Sequence, residues 1–121
     1  QGVLAGRYMT ANNLPGDSRA AQNGIYAERI TDAGIKIARH VMDWAEGKEL
    51  SPTALSVSWI LHQPAITSVI IGPRTPEHLD DLVSAQDIRL STEDLGWFDT
   101  LVPPGTYVSD HFNTAGWRRS T

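Results

Sequence analysis

Residues 66–71, Ile-Thr-Ser-Val-Ile-Ile, form the one convincing β-branched run in this 121-residue chain. A short run that is apolar on both faces reads as a strand buried within a parallel sheet. Such a strand needs lateral partners, because each of its backbone N–H and C=O groups must be paired once water is excluded. No second run of the same kind accompanies it. The segment is therefore expected either to pair with another chain or to belong to a larger α/β domain. The length alone would suit one ordinary domain.

Elsewhere the periodicity is helical. Ile30, Ala33, Ile37, Val41 and Trp44 recur at spacings of three and four, with Arg29, Asp32, Lys36, Arg39 and Asp43 between them. This predicts an amphipathic helix over 26–45, ended by Gly47. Ser51-Pro52 is an N-cap followed by proline at the first helical position. The helix it starts, 53–62, is apolar or small on nearly every face, which predicts burial on several sides. Pro64 ends it. After the β-branched run, Gly72-Pro73-Arg74 turns the chain and Thr75-Pro76 caps a helix to about residue 85. Ser91 and Asp94 form a capping pair for a last helix over 91–102, closed by Pro103-Pro104. Residues 105–121 show no sustained period. Residues 1–24, rich in Gly, Asn and Ser, read as a long loop, and loops of that length in compact domains are usually functional.

Composition excludes several classes. Ten basic against fourteen acidic residues leave a net charge of −4, which argues against a general nucleic-acid binder. No run of 18 apolar residues is present, so no transmembrane helix is expected. The opening QGVLAGRYM lacks the basic and apolar regions of a signal peptide. With no cysteine, there are no disulfides or thiolate metal sites, and a cytoplasmic location is expected. His40, His62, His78 and His111 contain no pair at i, i+4 spacing, so no metal site is expected. Asp80-Asp81 and Glu93-Asp94 are neighbours on helices, about 100° apart around the axis, and form no acid/base dyad. Walker, Rossmann and Gly-x-Ser-x-Gly patterns are absent.

One local feature points to chemistry. A buried strand, the turn 72–74 and a helix starting at Thr75-Pro76 would bring free N–H groups to one point, where the helix dipole favours an anion. Arg74 adds a planar donor fork suited to phosphate. The plainer alternative is that Arg74 is solvated and Thr75 is only a cap. Arg7 and Arg19 in the opening loop are further candidate cations, with a flexible polar loop as the alternative.

The segments Gln1-Gly2-Val3-Leu4-Ala5-Gly6-Arg7-Tyr8, Ser18-Arg19, Leu55-Ser56-Val57-Ser58-Trp59-Ile60-Leu61, Ile70-Ile71-Gly72-Pro73-Arg74-Thr75-Pro76-Glu77-His78-Leu79 and Leu90-Ser91-Thr92-Glu93-Asp94-Leu95 together resemble the aldo-keto reductases. Those are NADP(H)-dependent (β/α)8-barrel enzymes, and the likeness is greatest to the branch of bacterial reductases and potassium-channel β subunits. The resemblance runs in order to about Pro104. It implies an α/β fold in which this chain is the C-terminal portion of a (β/α)8 TIM barrel of about 250 residues or more. As an isolated chain it would be mostly helical, with 66–71 as the eighth strand. Residues 1–24 would be the cofactor loop following the seventh strand, 25–104 the helices and last barrel strand, and 105–121 a C-terminal tail.

The same resemblance assigns NADP contacts to Gly2, Leu4, Ala5, Arg7, Arg19, Gly72, Arg74, His78 and Asp81, with Arg74 at the 2′-phosphate position. Leu82 falls where the family has a polar adenine contact, and it cannot hydrogen-bond. The family's catalytic Asp, Tyr, Lys and His lie on earlier strands and map onto no residue here. The expected function is that of a cofactor-binding segment of an oxidoreductase reducing aldehydes or ketones, itself without turnover. The alternative is a non-enzymatic binding or regulatory module derived from the same barrel. The expected partners are a small carbonyl substrate in the parent protein and either the N-terminal barrel portion or a second copy, with neither nucleic acid nor membrane. Tyr107, Phe112 and Trp117 are candidate pocket-lining residues in the tail.

Overall fold

Thr31 decides where the longest helix starts. Its backbone is extended and its hydroxyl accepts from Gly34 N–H at 3.0 Å, which satisfies a donor that has no partner inside the helix. In this computed structural model, which describes residues 2–22 and 24–108, there are six helices among the described residues: α1 (Arg19–Gln22), α2 (Gly24–Ala27), α3 (Asp32–Gly47), α4 (Pro52–Leu61), α5 (Pro76–Ser84) and α6 (Thr92–Leu101). The helix expected over 26–45 thus begins six residues later. Its buried stripe is Ile35, Ala38, Val41 and Ala45, whereas Ala33 is exposed and Ile37 and Trp44 are half-buried. The cap at Thr31 sets the start, and the inward face is set by what packs on it: Tyr8, Ala20 and Ile30 around Ile35, and Leu55 against Val41 and Ala45.

Ser51 caps α4 by accepting from the N–H groups of Thr53 and Ala54. The expectation that α4 is buried on several sides is corrected. Only Ala54, Leu55 and Ser58 are buried, and the remaining apolar residues are half-exposed. Leu55 seals the main core together with Val41 and Ala45 of α3, while Trp44, Leu50, Leu90, Phe98 and Leu101 pack around them. Covering a leucine-sized side chain of this kind contributes about 1.5–3 kcal/mol. At the end of α4 the His62 ring is held from both sides: Nδ1–H donates to Ser58 C=O (2.8 Å) and Nε2 accepts from Leu90 N–H (3.2 Å). Ser58, fully buried, donates its hydroxyl to Ile88 C=O. His62 is thereby a satisfied structural histidine tying α4 to the chain entering α6.

α6 begins with a reciprocal capping box: Ser91 Oγ accepts from Asp94 N–H, and Asp94 Oδ2 accepts from Ser91 N–H. The expected Ser91–Asp94 pairing is therefore present. Lys48, just after α3, donates to Asp94 at 2.7 Å and lies 4.6 Å from the Trp44 ring centroid. Trp44 and Trp97 stack at 5.3 Å, with Phe98 edge-on to Trp97. These contacts fasten α6 across α3.

The opening loop is more ordered than its composition suggests. Val3–Gly6 close a tight turn (Gly6 N–H to Val3 C=O, Arg7 N–H to Gly2 C=O), with Gly2 and Gly6 at positive φ. Glycine is favoured at Gly6 by its positive φ; a Cβ there would also lie 2.7 Å from the thioether end of Met42, which would have to swing aside. Tyr8, Ala20, Ile30 and Ile35 form a second small core, with Leu14 and Tyr26 packed against it. Ser18 is buried and caps α1 through Ala21 N–H.

Residues 66–71 are the clearest correction. They form no strand, and no strand occurs among the described residues. The Ile66 N–H is taken by Gln63 C=O in a turn, and the Ile70 side chain is fully exposed. β-Branched residues favour an extended backbone, but a strand exists only through pairing with a neighbour. The expected α/β architecture thus appears as helices alone. α5 follows with no buried residue; its link to α4 includes a hydrogen bond from Ser51 Oγ to Asp81 Oδ2 at 2.8 Å. Tyr107 is exposed, and the tail positions Phe112 and Trp117 lie outside the described residues.

Candidate functional site

An open cleft of about 760 Å³ runs between the opening loop, one side of α4, the extended segment 69–74 and α5. The loop contributes Gly2, Ala5, Arg7 and Arg19. From the other wall come Gly72, Arg74, His78 and Asp81. Eight of the nine residues proposed from sequence therefore face one cavity, although they are up to 79 positions apart (2 to 81). Leu4 does not. It lines an adjoining pocket of about 300 Å³ that shares Gly2 and Ala5 with the larger one. Leu82 lines the cleft as well, placing an apolar group beside Asp81.

One wall of the cleft is formed by residues that no motif marks as a contact. Thr53, Val57 and Ile60 of α4 line the cleft, with Tyr8 below the loop. The signal was present in the all-round apolarity of α4: one face seals the core, and a second forms the apolar wall of a cavity.

The cations differ in how they are held. Arg7 Nη2 donates to Asp17 Oδ2 at 2.8 Å, while its Nε is buried with no acceptor. A Cβ on Gly2 would meet the Arg7 stem at 3.2 Å, so the glycine makes room for the arginine. Arg19 lies 5.5 Å from the Tyr26 ring centroid, with Arg29 at 5.4 Å from the same ring, a cation–π arrangement that restrains both guanidiniums. Arg74 is exposed at the rim, directly before the α5 cap.

The N-terminus of α5 is a poorer anion receptor than its sequence suggests. Thr75 Oγ1 already accepts from His78 N–H at 3.3 Å, and Pro76 has no N–H to offer. Glu77 places a carboxylate in the first turn, its pKa held below the usual range by the Thr75 hydroxyl and then by its own backbone N–H. The helix end thus supplies part of its own anion, and attraction for a ligand's negative charge falls mainly to the three arginines. Asp81, expected to accept from an adenine amino group, has one oxygen engaged by Ser51; it therefore also braces α5 against the start of α4. No cluster of metal-ligating side chains occurs among the described residues.

The cavity joins a glycine turn, three arginines and residues of the Gly72–His78 turn-and-helix. The sequence matches the profile of the Aldo/keto reductase family over residues 1–102. The chain belongs to that family. It is 30% identical over 111 residues to the L-glyceraldehyde 3-phosphate reductases of Escherichia coli O157:H7 and of Escherichia coli strain K12, covering 87% of this chain and 32% of each relative. A 52-residue stretch is 40% identical to the uncharacterized oxidoreductase YrpG of Bacillus subtilis (strain 168), covering 42% of this chain and 16% of that protein. The chain thus spans about a third of the length of the two reductases it matches. Aldo/keto reductases are (β/α)8-barrel oxidoreductases acting on small molecules. In this aldo/keto reductase chain, the described residues supply helices and loops, and none of their helices is long and apolar enough to cross a membrane.

Proposed function

We propose that this chain is the cofactor-clamping segment of an NADP(H)-dependent aldo-keto reductase, corresponding to the C-terminal part of the barrel. Residues 1–24 are the loop laid over the cofactor, and 66–71 take the place of the last barrel strand. Residues 105–121 form a tail at the substrate end. The observation that carries this reading is Arg7: a guanidinium N–H is buried with no acceptor, in a cavity where Arg19 and Arg74 also converge. A buried donor left unpaired costs about 1–3 kcal/mol, and a phosphate oxygen is the acceptor that would recover it. The donor set therefore fits a phosphate-rich dinucleotide.

In this reading Arg74 receives the 2′-phosphate of the adenosine half, while Arg7 and Arg19 receive the remaining phosphate charge. Gly2 and Gly72 let backbone approach the ligand where a side chain would intrude. Val57 and Ile60 exclude water from one wall. Asp81 keeps one oxygen for an adenine amino group while bonded to Ser51, and Leu82 offers only contact. NADPH, when bound, supplies the hydride that reduces an aldehyde or ketone.

None of this chain's residues is assigned to proton transfer. Turnover belongs to the whole barrel, and the chain alone is proposed to be inactive. The exposed side chains of Ile66, Ile70, Leu79 and Val83 support a covering partner, which in this reading is the remainder of the barrel. The alternative of a regulatory binding module draws its support from Leu82, which removes one polar adenine contact.

Titration calorimetry of the chain with NADPH and NADH, for wild type and Arg74→Ala, tests the assignment. NADPH is expected to bind wild type more tightly than NADH, and Arg74→Ala to lose about tenfold or more of that preference, the scale of one charge-assisted pair. An unchanged preference in Arg74→Ala would remove the phosphate role.

A further inference from the structure

Ser51 does not line the cleft, yet its hydroxyl fixes a group that does. Its oxygen accepts from Thr53 N–H at 3.2 Å and from Ala54 N–H at 3.3 Å, which uses both acceptor positions of a hydroxyl. Its one proton goes to Asp81 Oδ2 at 2.8 Å. Asp81 lines the cleft from α5, a helix with no buried residue of its own. Ser84 bonds the Asp81 backbone carbonyl rather than the carboxylate, and no cation pairs with that carboxylate among the described residues. Oδ1 is therefore left for a ligand, beside Leu82, whose side chain offers no polar atom.

We infer that Ser51 is a positioning residue that sets the polarity of the cleft at Asp81, so that this end selects a base carrying an amino donor over one carrying a carbonyl oxygen. This rests on the nucleotide reading above and adds what holds its base contact in place. An ionised carboxylate only accepts, so Asp81 repels an oxygen placed where an amino group would sit. The direction of the Ser51 bond is fixed, because the two groups that meet its oxygen are backbone N–H donors at the start of α4. In Asp81→Asn the side-chain amide has one accepting and one donating end. The Ser51 proton takes the carbonyl end, and the NH2 end turns to the cleft. Position 81 then donates where it accepted before, and Ser51 decides which end faces the ligand.

The test is calorimetric titration of the full 121-residue chain with NADPH and with its hypoxanthine analogue, which carries an oxygen in place of the amino group. Hypoxanthine N1–H reaches Asp81 only from a displaced base, so wild type is expected to prefer NADPH about tenfold, the scale of one charge-assisted hydrogen bond. Asp81→Asn is expected to reverse the preference, to about threefold in favour of the analogue, the scale of a neutral bond. Ser51→Gly deletes the hydroxyl at little cost to the start of α4. It should bring both wild type and Asp81→Asn to within about twofold of no preference, whereas Ser51→Thr should keep the wild-type ratio. A ratio unchanged by Ser51→Gly, one lost equally in Ser51→Thr, or a reversal by Asp81→Asn that persists in the Ser51→Gly background would overturn the role of Ser51. So would an unchanged ratio in Asp81→Asn. If the preference for NADPH over NADH still depends on Arg74 in those cases, the phosphate reading stands and this inference falls alone. If wild type binds neither nucleotide, the two fall together.

Discussion

The two sides of α4 are built from similar residues and meet opposite surroundings. On one side Leu55 and Ser58 are sealed against α3 and the approach to α6. On the other, Val57 and Ile60 stay half-exposed above the cleft, facing the unpaired segment 69–71. The packed side holds an aromatic stack, a capping box and a doubly bonded histidine. The open side holds three arginines and a fully exposed isoleucine. Hydrophobicity made α4 fit for burial all round, but only the presence of a covering element turns apolar surface into core. The open side is where ligand or further polypeptide can be accommodated.

That contrast can be tested by substitution. The largest effect is expected from Leu55→Ala, which empties the sealed side and should destabilise the chain by about 3 kcal/mol in urea unfolding, within the range for buried leucines. A loss below about 1 kcal/mol would mean that the packed side is as loose as the open one. A smaller effect comes from Lys48 and Asp94. The Lys48 ammonium, and next the Ser91 N–H, hold the Asp94 pKa at about 2 against an ordinary 3.8. Because the folded value is lowered, this stabilisation is fully present above about pH 4 and is lost as pH falls through about 2. Lys48→Met should bring the acid loss to higher pH and cost about 0.5 kcal/mol at neutral pH, as read from unfolding midpoints across a pH series. The smallest effect is expected from Ile70→Asp: with the side chain fully exposed, stability should change by less than about 0.5 kcal/mol. A larger loss, or a changed sedimentation coefficient, would show that the open side is covered in solution.

Helix ends were legible because their determinants are local. Ser51-Pro52, Thr75-Pro76 and the Ser91–Asp94 pair lie within a few residues of the N–H groups they satisfy, and each appears as an N-cap. The candidate site was legible through motif resemblance, which marked Arg7, Arg19 and Arg74 without showing how each is held. The start of α3 was not legible, because apolar spacing continues upstream through Ile30 and periodicity does not reveal that the Thr31 hydroxyl has taken Gly34 N–H. The roles of Asp17 and Ser51 left no trace in spacing, since an ion pair ten residues long and a bond thirty residues long depend on how the loops fold back.

By itself, then, the sequence determined the helices that begin at Ser51, Thr75 and Ser91, and the family, which follow from local backbone chemistry and ordered motifs. Tertiary structure alone decided which face of α4 became core, that Arg7 keeps a buried donor without an acceptor, and that 66–71 stands without a ladder. Burial and strand pairing are properties of two surfaces meeting, and a residue's own chemistry states only its readiness for them.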